Sequence, residues 1–331
     1  MHDYMVPPKD ASGHDLATVN WKTEYDVTRT LEQTGHTLLQ LGIKDDLGVI
    51  RKRIEEDKPH IVFNLLEHFH EVSGFDSNVV SYLELLRVPY TGCNPRGLIL
   101  ARDKSISKTL LASHRVPVPA SAVVPVGRKV RRPKQLVFPL IVKSLTQDAS
   151  IGISQASVVE DDEKLRERVE FVHSSVGTDA IIEQFIEGRE LYVGILGNVR
   201  LTVFPVWELR LGAMPDDAHR IATERVKWSP KYQKKYRIRS GEVHDVPAAT
   251  VDRIRHVCRR VYRILSMSGY GRIDLRLGAD GRFWVIEANP NPQIALGEDF
   301  AESAQRAGVS YPDLLQRIIN TGLQWRPERQ G

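Results

Sequence analysis

The chain has 331 residues, of which 41% are hydrophobic and 27% are charged, a composition typical of a globular protein with room for two or three domains. Its 46 Lys and Arg residues nearly balance 42 Asp and Glu residues, for a net charge of +4, so the balance does not favour nucleic acid as a partner. No apolar run approaches the roughly 20 residues that span a membrane, and no signal-peptide pattern is present, so we expect a cytoplasmic protein without a membrane partner.

The first third of the chain predicts an open α/β layer. Its helices are predicted at residues 21–33, 47–56 and 78–86. Its strand-like segments are predicted at residues 36–42, 61–65 and 88–92. The second of these is an apolar run of the kind that forms a buried parallel strand. Residues 1–20 are polar and give no strand signal, so either residues 1–6 are the remnant of an expected first strand or the chain begins late.

The middle of the chain predicts small antiparallel strands beside a long loop. An apolar strand at residues 138–143 ends in Lys143, and the small, polar residues 144–152 that follow are predicted to fold over phosphates through backbone N–H groups. Further strands are predicted at residues 180–185, 190–196 and 199–209. The polar segment 212–245 is predicted to be a weakly structured lid or binding loop. Further helices are predicted at residues 103–114, 163–173, 251–267 and 313–321.

A β-hairpin is predicted over residues 271–288, because apolar and polar residues alternate on both sides of the turn residues 278–281. If Asp280 and Gly281 form a two-residue loop, Asp274 lies opposite Glu287. The same register places Arg272 opposite Asn289. The hairpin therefore carries two facing carboxylates on one side.

Facing carboxylates repel each other, and a cation between them relieves the repulsion. Asn289 lies two residues past Glu287, on the same face of the strand, and adds an amide oxygen. This all-oxygen set with Asp274 suits Mg²⁺ shared with a nucleotide phosphate better than Zn²⁺. Arg272 lies beside the same position, where it can hold an anion. A solvated hairpin face with scattered charges is the alternative interpretation.

Several other kinds of site are not supported by the sequence. It contains neither a P-loop pattern nor a GxGxxG between a strand and a helix, and no GxSxG, CxxC or HExxH occurs. The two cysteines, Cys93 and Cys258, are too few for a disulfide framework or a zinc set. The acidic and histidine residues at 67–71 are adjacent in one loop, and such residues seldom converge on one ion. The candidates that remain are lysines and carboxylates at strand ends.

Four patterns in the chain resemble those of the ATP-grasp enzymes, and in particular their D-alanine:D-alanine ligase branch. They are Val88–Gly92 with Asp103 and Lys104 downstream, Ile141–Lys143, Ile182–Glu190, and Gly271–Asp274 with Glu287–Asn289. The resemblance implies an ATP-grasp fold of the α/β and α+β classes, with an N-terminal open α/β domain that lacks its first strand. It divides the chain into an N-terminal domain (1–97), a small central subdomain (98–184) and a C-terminal subdomain with the magnesium site (185–331).

The resemblance also implies where ATP binds. The lysines at the α- and β-phosphates correspond to Lys104 and Lys143, and the lysine that approaches the γ-phosphate corresponds to Lys227. The nucleoside contacts correspond to Glu183, Gln184 and Ile186 at the base and to Glu190 at the ribose. Two Mg²⁺ ions, or Mn²⁺ in their place, would be held by Asp274, Glu287 and Asn289. Arg272 would stabilise the transferring phosphoryl group and the oxyanion that follows.

The family chemistry implies an ATP-dependent carboxylate–amine ligase. ATP phosphorylates a carboxylate, and an amine then attacks the acyl phosphate to give an amide, ADP and phosphate. The implied substrates are amino acids or short peptides, and relatives form homodimers. The acyl phosphate must be kept from water, which is a reason for the segment 212–245 to close.

The residues expected at the amino-acid end depart from the family pattern. Glu24 matches the glutamate that meets the amine of the first substrate. Ser150 follows Ala149, which stands where a catalytic serine is expected, and Trp228 stands where its tyrosine partner is expected. At the second substrate, the bulky Gln293 and the anionic Glu298 argue against a small zwitterion such as D-alanine.

Two alternatives remain open at this point. One is an authentic D-alanine:D-alanine ligase of cell-wall synthesis, and the other is a non-catalytic ATP-binding protein. The intact set of Arg272, Asp274, Glu287 and Asn289 is evidence against the second. Residues 1–8 resemble the loop after the first strand of relatives, so the numbering is expected to start at an internal methionine. We therefore expect an incomplete N-terminal sheet or a substitute edge strand, which a full strand over residues 1–8 would contradict.

Overall fold

Two antiparallel sheets with helices packed around them form the framework of the protein in a computed structural model, which describes residues 1–16, 18–147, 150–215 and 218–325. The N-terminal third is mainly helical. Its helices are α1 Lys22–Gln33, α2 Gly48–Asp57, α3 Asp76–Leu85, α4 Pro95–Arg102 and α5 Lys104–Ser113. No helix in the described part of the chain is long and apolar enough to cross a membrane.

The strands predicted at residues 61–65 and 88–92 are reduced to one bridge, and the strand predicted at residues 36–42 is absent. His2 pairs with Ile43 and Val62 pairs with Tyr90, both in parallel. Residues 1–8, all of which are described, contain a short 3-10 turn and no full strand. The sheet at this end is therefore incomplete, as expected. The apolar run 61–65 is extended but packs mainly through its side chains, because Ile61, Phe63 and Leu65 lie against one core cluster and Val62 against another.

The first sheet has four strands in the order β1-β4-β2-β3. These are β1 Ser121–Val124, β2 Leu140–Ser144, β3 Val158–Val159 and β4 Ala180–Gln184. Helix α6, Asp162–Phe171, packs its apolar side on this sheet, with Leu165 and Val169 in the same buried cluster as Leu140 and Ile182. All five residues of β2 are buried, including Lys143, so this lysine requires an anionic partner.

The second sheet has six strands in the order β10-β9-β5-β7-β8, with β6 paired to β5. These are β5 Arg189–Leu196, β6 Thr202–Val203, β7 Trp207–Arg210, β8 Arg239–Glu242, β9 Tyr270–Leu277 and β10 Phe283–Asn289. The remaining helices are α7 Glu224–Trp228, α8 Pro230–Tyr236, α9 Ala248–Ile264, α10 Asp299–Arg306 and α11 Tyr311–Leu323.

Two predictions about the second sheet were wrong. The strand expected at residues 199–209 is two strands, β6 and β7. The N–H of Phe204 still donates to Gly194 O of β5 at 2.9 Å, but Pro205 after it has no N–H to donate and interrupts the strand. The segment expected to be weakly structured, 212–245, contains α7, α8 and β8. Its helices are short and capped by side chains, with Thr223 accepting from Val226 N and Ser229 accepting from Tyr232 N. Caps of this kind stabilise helices that are too short to persist alone.

The hairpin formed by β9 and β10 has the predicted register at its functional end. Asp274 pairs with Glu287, and Arg272 pairs with Asn289. The predicted two-residue turn was wrong. The N–H of Gly278 donates to Arg282 O at 2.9 Å, which leaves a three-residue loop, 279–281. The last residue of this loop has a φ of +75°, which glycine adopts without strain.

A β-bulge at Ile286 explains why the predicted pairs form although the predicted turn does not. Phe283, next to the turn, pairs with Leu277, one position away from the predicted partner. The bulge adds one residue to β10 between Val285 and Glu287, which restores the predicted pairs beyond it. The facing carboxylates therefore depend on both the turn and the bulge.

Of the two subdomain limits proposed from sequence, one falls between the two sheets and the other falls inside a helix. The limit between residues 184 and 185 falls in the link between β4 of the first sheet and β5 of the second. The limit between residues 97 and 98 falls within α4. One core cluster joins the N-terminal helices to the second sheet, with Leu98 and Leu111 buried together with Leu275.

Candidate functional site

A cleft of about 630 Å³ lies between the two sheets. Nine of the residues predicted for the site line it, which are Lys143, Ser150, Glu183, Gln184, Ile186, Glu190, Lys227, Asp274 and Glu287. They come from β2, β4, β5, α7 and the β9–β10 hairpin, so elements distant in sequence converge here. Apolar residues of both sheets complete the walls, among them Ile141, Leu275 and Ile286. A deep cleft with apolar walls and a few convergent charges is the usual form of a small-molecule site.

Glu183 lies in this cleft as a buried carboxylate between two lysines. Its Oε2 is 3.1 Å from Lys143 Nζ and 3.4 Å from Lys108 Nζ. Burial by itself would raise the pKa of Glu183, but the two lysines outweigh it and hold that pKa below its ordinary value. The other oxygen, Oε1, is buried and accepts no hydrogen bond from the described residues. It is available to a donor from a ligand.

The sequence interpretation missed Lys108. Its ammonium is buried, donates to Ile286 O at 3.0 Å, and has its pKa lowered by burial. The available signal was its spacing, since Lys104 and Lys108 lie one turn apart on the same face of α5. Asp103 caps this helix by accepting from Ser105 N and Ile106 N, both at 2.9 Å, which fixes the first turn that carries Lys104.

Lys104 joins three parts of the site. Its Nζ lies 3.5 Å from Glu287 Oε1 and donates to Gln147 O at 2.8 Å. Gln147 belongs to the small-residue loop after β2, and Glu287 belongs to β10. With Lys108 bonded to the carbonyl of the bulge residue Ile286, two successive turns of α5 hold the bulge and the carboxylate beside it.

Arg272 and Asp274 form a two-pronged ion pair along β9. Arg272 Nε and Nη2 donate to the two carboxylate oxygens at 2.7 and 2.8 Å, and the guanidinium lies 4.4 Å from the ring centroid of Tyr192. Burial raises the pKa of Asp274, Arg272 opposes that rise, and Glu287 adds to it. Burial would lower the pKa of Arg272, but Asp274 outweighs it and the pKa is raised. Arg272 is thus a permanent cation in a dry environment.

The residues predicted as metal ligands fit a hard divalent cation. Asp274 and Glu287 face each other on paired strands, and Asn289 lies one pleat beyond Glu287. Asn289 Oδ1 accepts from Asn291 N at 2.9 Å, which orients the amide group. Within the described ranges no group of three His, Cys, Asp or Glu residues could hold a metal ion. Two carboxylates with one amide oxygen are therefore the relevant donor set, and such oxygens suit Mg²⁺ or Mn²⁺.

Glu190 is held at the other end of the cleft. Its Oε1 accepts from Tyr192 OH at 2.9 Å. Its Oε2 accepts from Ala222 N and from Arg276 Nη1, both at 3.2 Å. Arg276, which lines the cleft, is the second charged residue that the sequence interpretation missed. The alternation of β9 was the available signal, because Arg272, Asp274 and Arg276 follow at intervals of two and share a face.

The segment 212–245 covers one side of the cleft. Ser150 Oγ donates to Ala222 O at 2.8 Å, and Gln155 exchanges two hydrogen bonds with the backbone of His219. These bonds tie the small-residue loop to the segment before α7, which carries Lys227 into the cleft wall. Trp228, on the same helix, is 55% exposed and is not part of the lining. Ala149 lies outside the described residues.

Of the residues predicted for the amino-acid end, Ser150 lines this cleft, whereas Glu24, Gln293 and Glu298 do not. Glu24 is buried on α1, where burial raises its pKa to about 7 and Glu67 adds to the effect. Glu298 lies just before α10, and its pKa is raised by burial and by Asp299, while Lys22 and Arg272 act in the opposite direction. Glu298 therefore lies within electrostatic range of Arg272.

The loop that carries Gln293 and Glu298 is fastened to α1. Lys22 Nζ donates to Leu296 O at 2.6 Å, and Leu296 N donates to Asp26 Oδ2 at 3.0 Å. Gln293 is half-buried in this loop. The residues predicted for the amino-acid end thus lie on α1 and on the loop after β10, and hydrogen bonds join these two elements.

Comparisons with known proteins agree with this geometry. A family profile described as "D-ala D-ala ligase C-terminus" matches residues 122–320. An uncharacterized protein of Sinorhizobium fredii is 30% identical over 299 residues, which are 89% of this chain and 85% of the relative. A D-alanine–D-alanine ligase of Desulforudis audaxviator is 29% identical over 304 residues, covering 88% and 90% of the two chains.

A solved structure has the same fold. The crystal structure of the D-alanine–D-alanine ligase from Bacillus anthracis complexed with ATP matches with a TM-score of 0.72 at 23% identity, over 93% of each chain. The fold and the cleft define an ATP-grasp enzyme. The chain belongs to the D-alanine–D-alanine ligase family. It is an ADP-forming, ATP-dependent carboxylate–amine ligase.

Proposed function

We propose that the protein uses ATP and two Mg²⁺ ions to activate the carboxylate of an amino acid or short peptide, and that it joins the acyl group to an amine. The observation that carries this proposal is the convergence in one cleft of the cations Lys143 and Lys227 with the carboxylates Asp274 and Glu287. Phosphoryl transfer needs positioned cations and metal-binding oxygens rather than a covalent nucleophile on the protein.

In this proposal, the base of ATP lies near β4 and its phosphates lie near α5. The free oxygen of Glu183, buried and without a donor among the described residues, is suited to the exocyclic amine of adenine. Lys104 and Lys143 are held in place by Glu287 and Glu183. Preorganised cations of this kind bind phosphate oxygens without further ordering of the side chains.

The metal site would consist of Asp274, Glu287 and Asn289. A divalent cation bound there would neutralise phosphate oxygens and lower the charge that builds up in the transition state. Lys227, whose charge already acts on Asp274, would approach the γ-phosphate from the segment 212–245.

The protein groups have distinct tasks in the two steps. A carboxylate oxygen of the first substrate attacks the γ-phosphorus, and the bond to ADP breaks to leave an acyl phosphate. The amine nitrogen of the second substrate, after losing its proton, then attacks the acyl carbon, and phosphate departs. Arg272, a permanent buried cation, would stabilise the oxyanion at that carbon. The bonds of Ser150 and Gln155 to the 212–245 segment would exclude water meanwhile.

The acceptor is proposed to differ from D-alanine, because the resemblance places the carboxylate of Glu298 where the second substrate would bind, and the charges of Glu298 and Arg272 interact. Glu24 would hold the amine of the first substrate, and Trp228 and Ser150 would border it. An authentic D-alanine–D-alanine ligase is the second candidate, and the relative in Desulforudis audaxviator with that activity in its name favours it.

Phosphate release from ATP across a panel of D- and L-amino acids and dipeptides tests the proposal. Release with a pair other than D-alanine with itself is the expected result. Release with D-alanine alone would assign the cell-wall activity instead. ATP binding without release from any member of the panel would favour a non-catalytic protein.

A further inference from the structure

Arg276 is a buried arginine in the wall of the cleft that none of the proposed steps uses. It is 6% exposed and lies on β9, on the face that also carries Arg272 and Asp274. Three hydrogen bonds hold it, with Nε donating to Ile186 O at 3.0 Å and Nη1 donating to Arg220 O at 2.7 Å and to Glu190 Oε2 at 3.2 Å. The guanidinium is therefore fixed in position.

The remaining nitrogen of this guanidinium is unsatisfied. Nη2 is buried and makes no hydrogen bond with any described residue, although its side chain lines the cleft. A guanidinium only donates hydrogen bonds, so Nη2 requires an acceptor. A buried charged donor without an acceptor is unfavourable in the absence of a ligand.

The contacts of Arg276 indicate where that acceptor would lie. Ile186 follows Gln184 and Phe185 at the end of the cleft proposed for the base, and Glu190 is the residue proposed for the ribose. Arg276 bonds to both, through Nε and Nη1. A ligand group that meets Nη2 is therefore expected where the base and the ribose join.

We propose that Arg276 binds the nucleoside part of ATP through Nη2, which donates to an acceptor at the base–ribose junction. This inference rests on the proposed orientation of ATP in the cleft. The acceptors with suitable chemistry at that junction are the purine ring nitrogen N3 and the ribose 2′-hydroxyl oxygen. Arg276 then has two roles, because the same guanidinium positions Glu190.

Calorimetry tests the inference by measuring the affinities of the protein for ATP, 2′-deoxy-ATP and 3-deaza-ATP in the absence of amino-acid substrates. Each analogue lacks one of the two acceptors. We expect the wild-type protein to bind one analogue about 10- to 100-fold more weakly than ATP, as for loss of a hydrogen bond to a charged donor. Equal binding of all three nucleotides by the wild-type protein would overturn the inference without recourse to any variant.

The variant Arg276→Met separates ligand contact from support of Glu190. It should bind ATP more weakly than the wild type, and it should no longer discriminate against the analogue that the wild type rejects. If Arg276→Met weakens ATP and both analogues by one common factor and keeps the discrimination, Arg276 only supports Glu190. The matched control is Arg282→Met, an exposed arginine of the same hairpin paired with Asp280, which should leave all three affinities unchanged.

The titration of the wild-type protein with ATP also tests the proposed nucleotide site itself. If the wild-type protein binds no ATP, both the proposed function and this inference fail. If it binds ATP and the analogues equally, the proposed function stands and only the role of Arg276 fails.

Discussion

The residues proposed to bind ATP and those proposed to meet the amino-acid substrates stand on different kinds of structure. At the nucleotide and phosphate end, the charged groups stand on paired strands or on the first turns of α5, and buried ion pairs such as Lys143 with Glu183 fix them. At the amino-acid end, Gln293 and Glu298 stand on a loop that is fastened to α1 by Lys22 and Asp26. A strand ladder fixes the direction of each side chain, whereas a loop is constrained only where it is bonded.

This difference separates activation from selection. In the proposed function, carboxylate activation depends on the register of β9 with β10 and on the bulge at Ile286. The choice of amine would depend on loop residues, which lie outside both sheets. Variants of the residues proposed to activate the carboxylate should therefore affect turnover or stability. Variants of the loop residues should affect the KM of one substrate.

The largest effect is expected from Glu287→Gln. Removal of one of the two facing carboxylates weakens the metal site, so kcat should fall by about 1000-fold or more, a magnitude comparable to the loss of other transition-state electrostatic groups. Phosphate release measures the loss, and circular dichroism should show an unchanged fold. Asp280→Asn, in the turn of the same hairpin, serves as the control. Activity near that of the wild type in Glu287→Gln would remove this residue from the metal site.

Lys108→Met tests whether the buried ion pairs of Glu183 stabilise the part of the cleft proposed for ATP. The variant leaves Glu183 with a single close lysine and removes the donor to the bulge carbonyl, so unfolding in urea should require about 3 kcal/mol less, as for a broken buried pair. KM for ATP should rise as well. Lys164→Met, an exposed lysine paired with Glu167, should have no measurable effect. Equal stability of the two variants would show that the bulge does not depend on Lys108.

The pH dependence of the stability of Glu24→Gln, compared with that of the wild type, tests whether the carboxylate of Glu24 is buried. The pKa of Glu24 in the folded protein, about 7, lies above its ordinary value of 4.5, so the folded state binds this proton more tightly than the unfolded chain. Stability is therefore favoured below pH 4.5 and falls as pH rises through 7, by roughly 3 kcal/mol at most.

Glutamine carries no ionisable group, so the variant should lack this fall. Urea unfolding of both proteins at pH 5 and pH 8 measures the difference. The wild type should lose stability relative to Glu24→Gln between the two values. Parallel changes in the two proteins would show that Glu24 is well solvated.

The smallest effect is expected from Glu298→Gln. Loss of this carboxylate should change the KM of the amine identified in the panel by about tenfold, the scale of one charged contact, while KM for ATP stays constant. Steady-state kinetics with each substrate varied in turn measures the two constants. Glu302→Gln, one turn further along α10, is the matched control. A change in KM for ATP of the same size would remove the distinction between the two ends.

Several features could be predicted from local pattern. Alternation with a period of two placed Arg272 and Asp274 on one face of β9, and Glu287 and Asn289 on one face of β10, because the pleat of a strand fixes which side chains share a face. The apolar strand ending in Lys143 predicted a buried ammonium. The helix that follows Asp103 was predicted because its cap and apolar spacing are encoded within one stretch of sequence.

Other features were decided by contacts between distant residues. The bulge at Ile286 corrects the register that the three-residue turn would otherwise impose, and Lys108 from α5 holds its carbonyl. Local spacing places Lys108 on the face of α5 that carries Lys104, and Arg276 on the face of β9 that carries Asp274, but it does not show that either cation is buried. Their burial and partners depend on how helices and sheets pack.

The sequence by itself determined the hairpin, the face of β9 that carries Asp274 and the elements that carry Lys104 and Lys143, since each follows from the periodicity of a single segment. Only the tertiary structure decided which cation meets which carboxylate, because an ion pair such as Lys104 with Glu287 joins residues far apart in the chain. It also decided which polar atoms are left buried without a partner. Desolvation depends on every element that surrounds a group, and no local pattern contains that information.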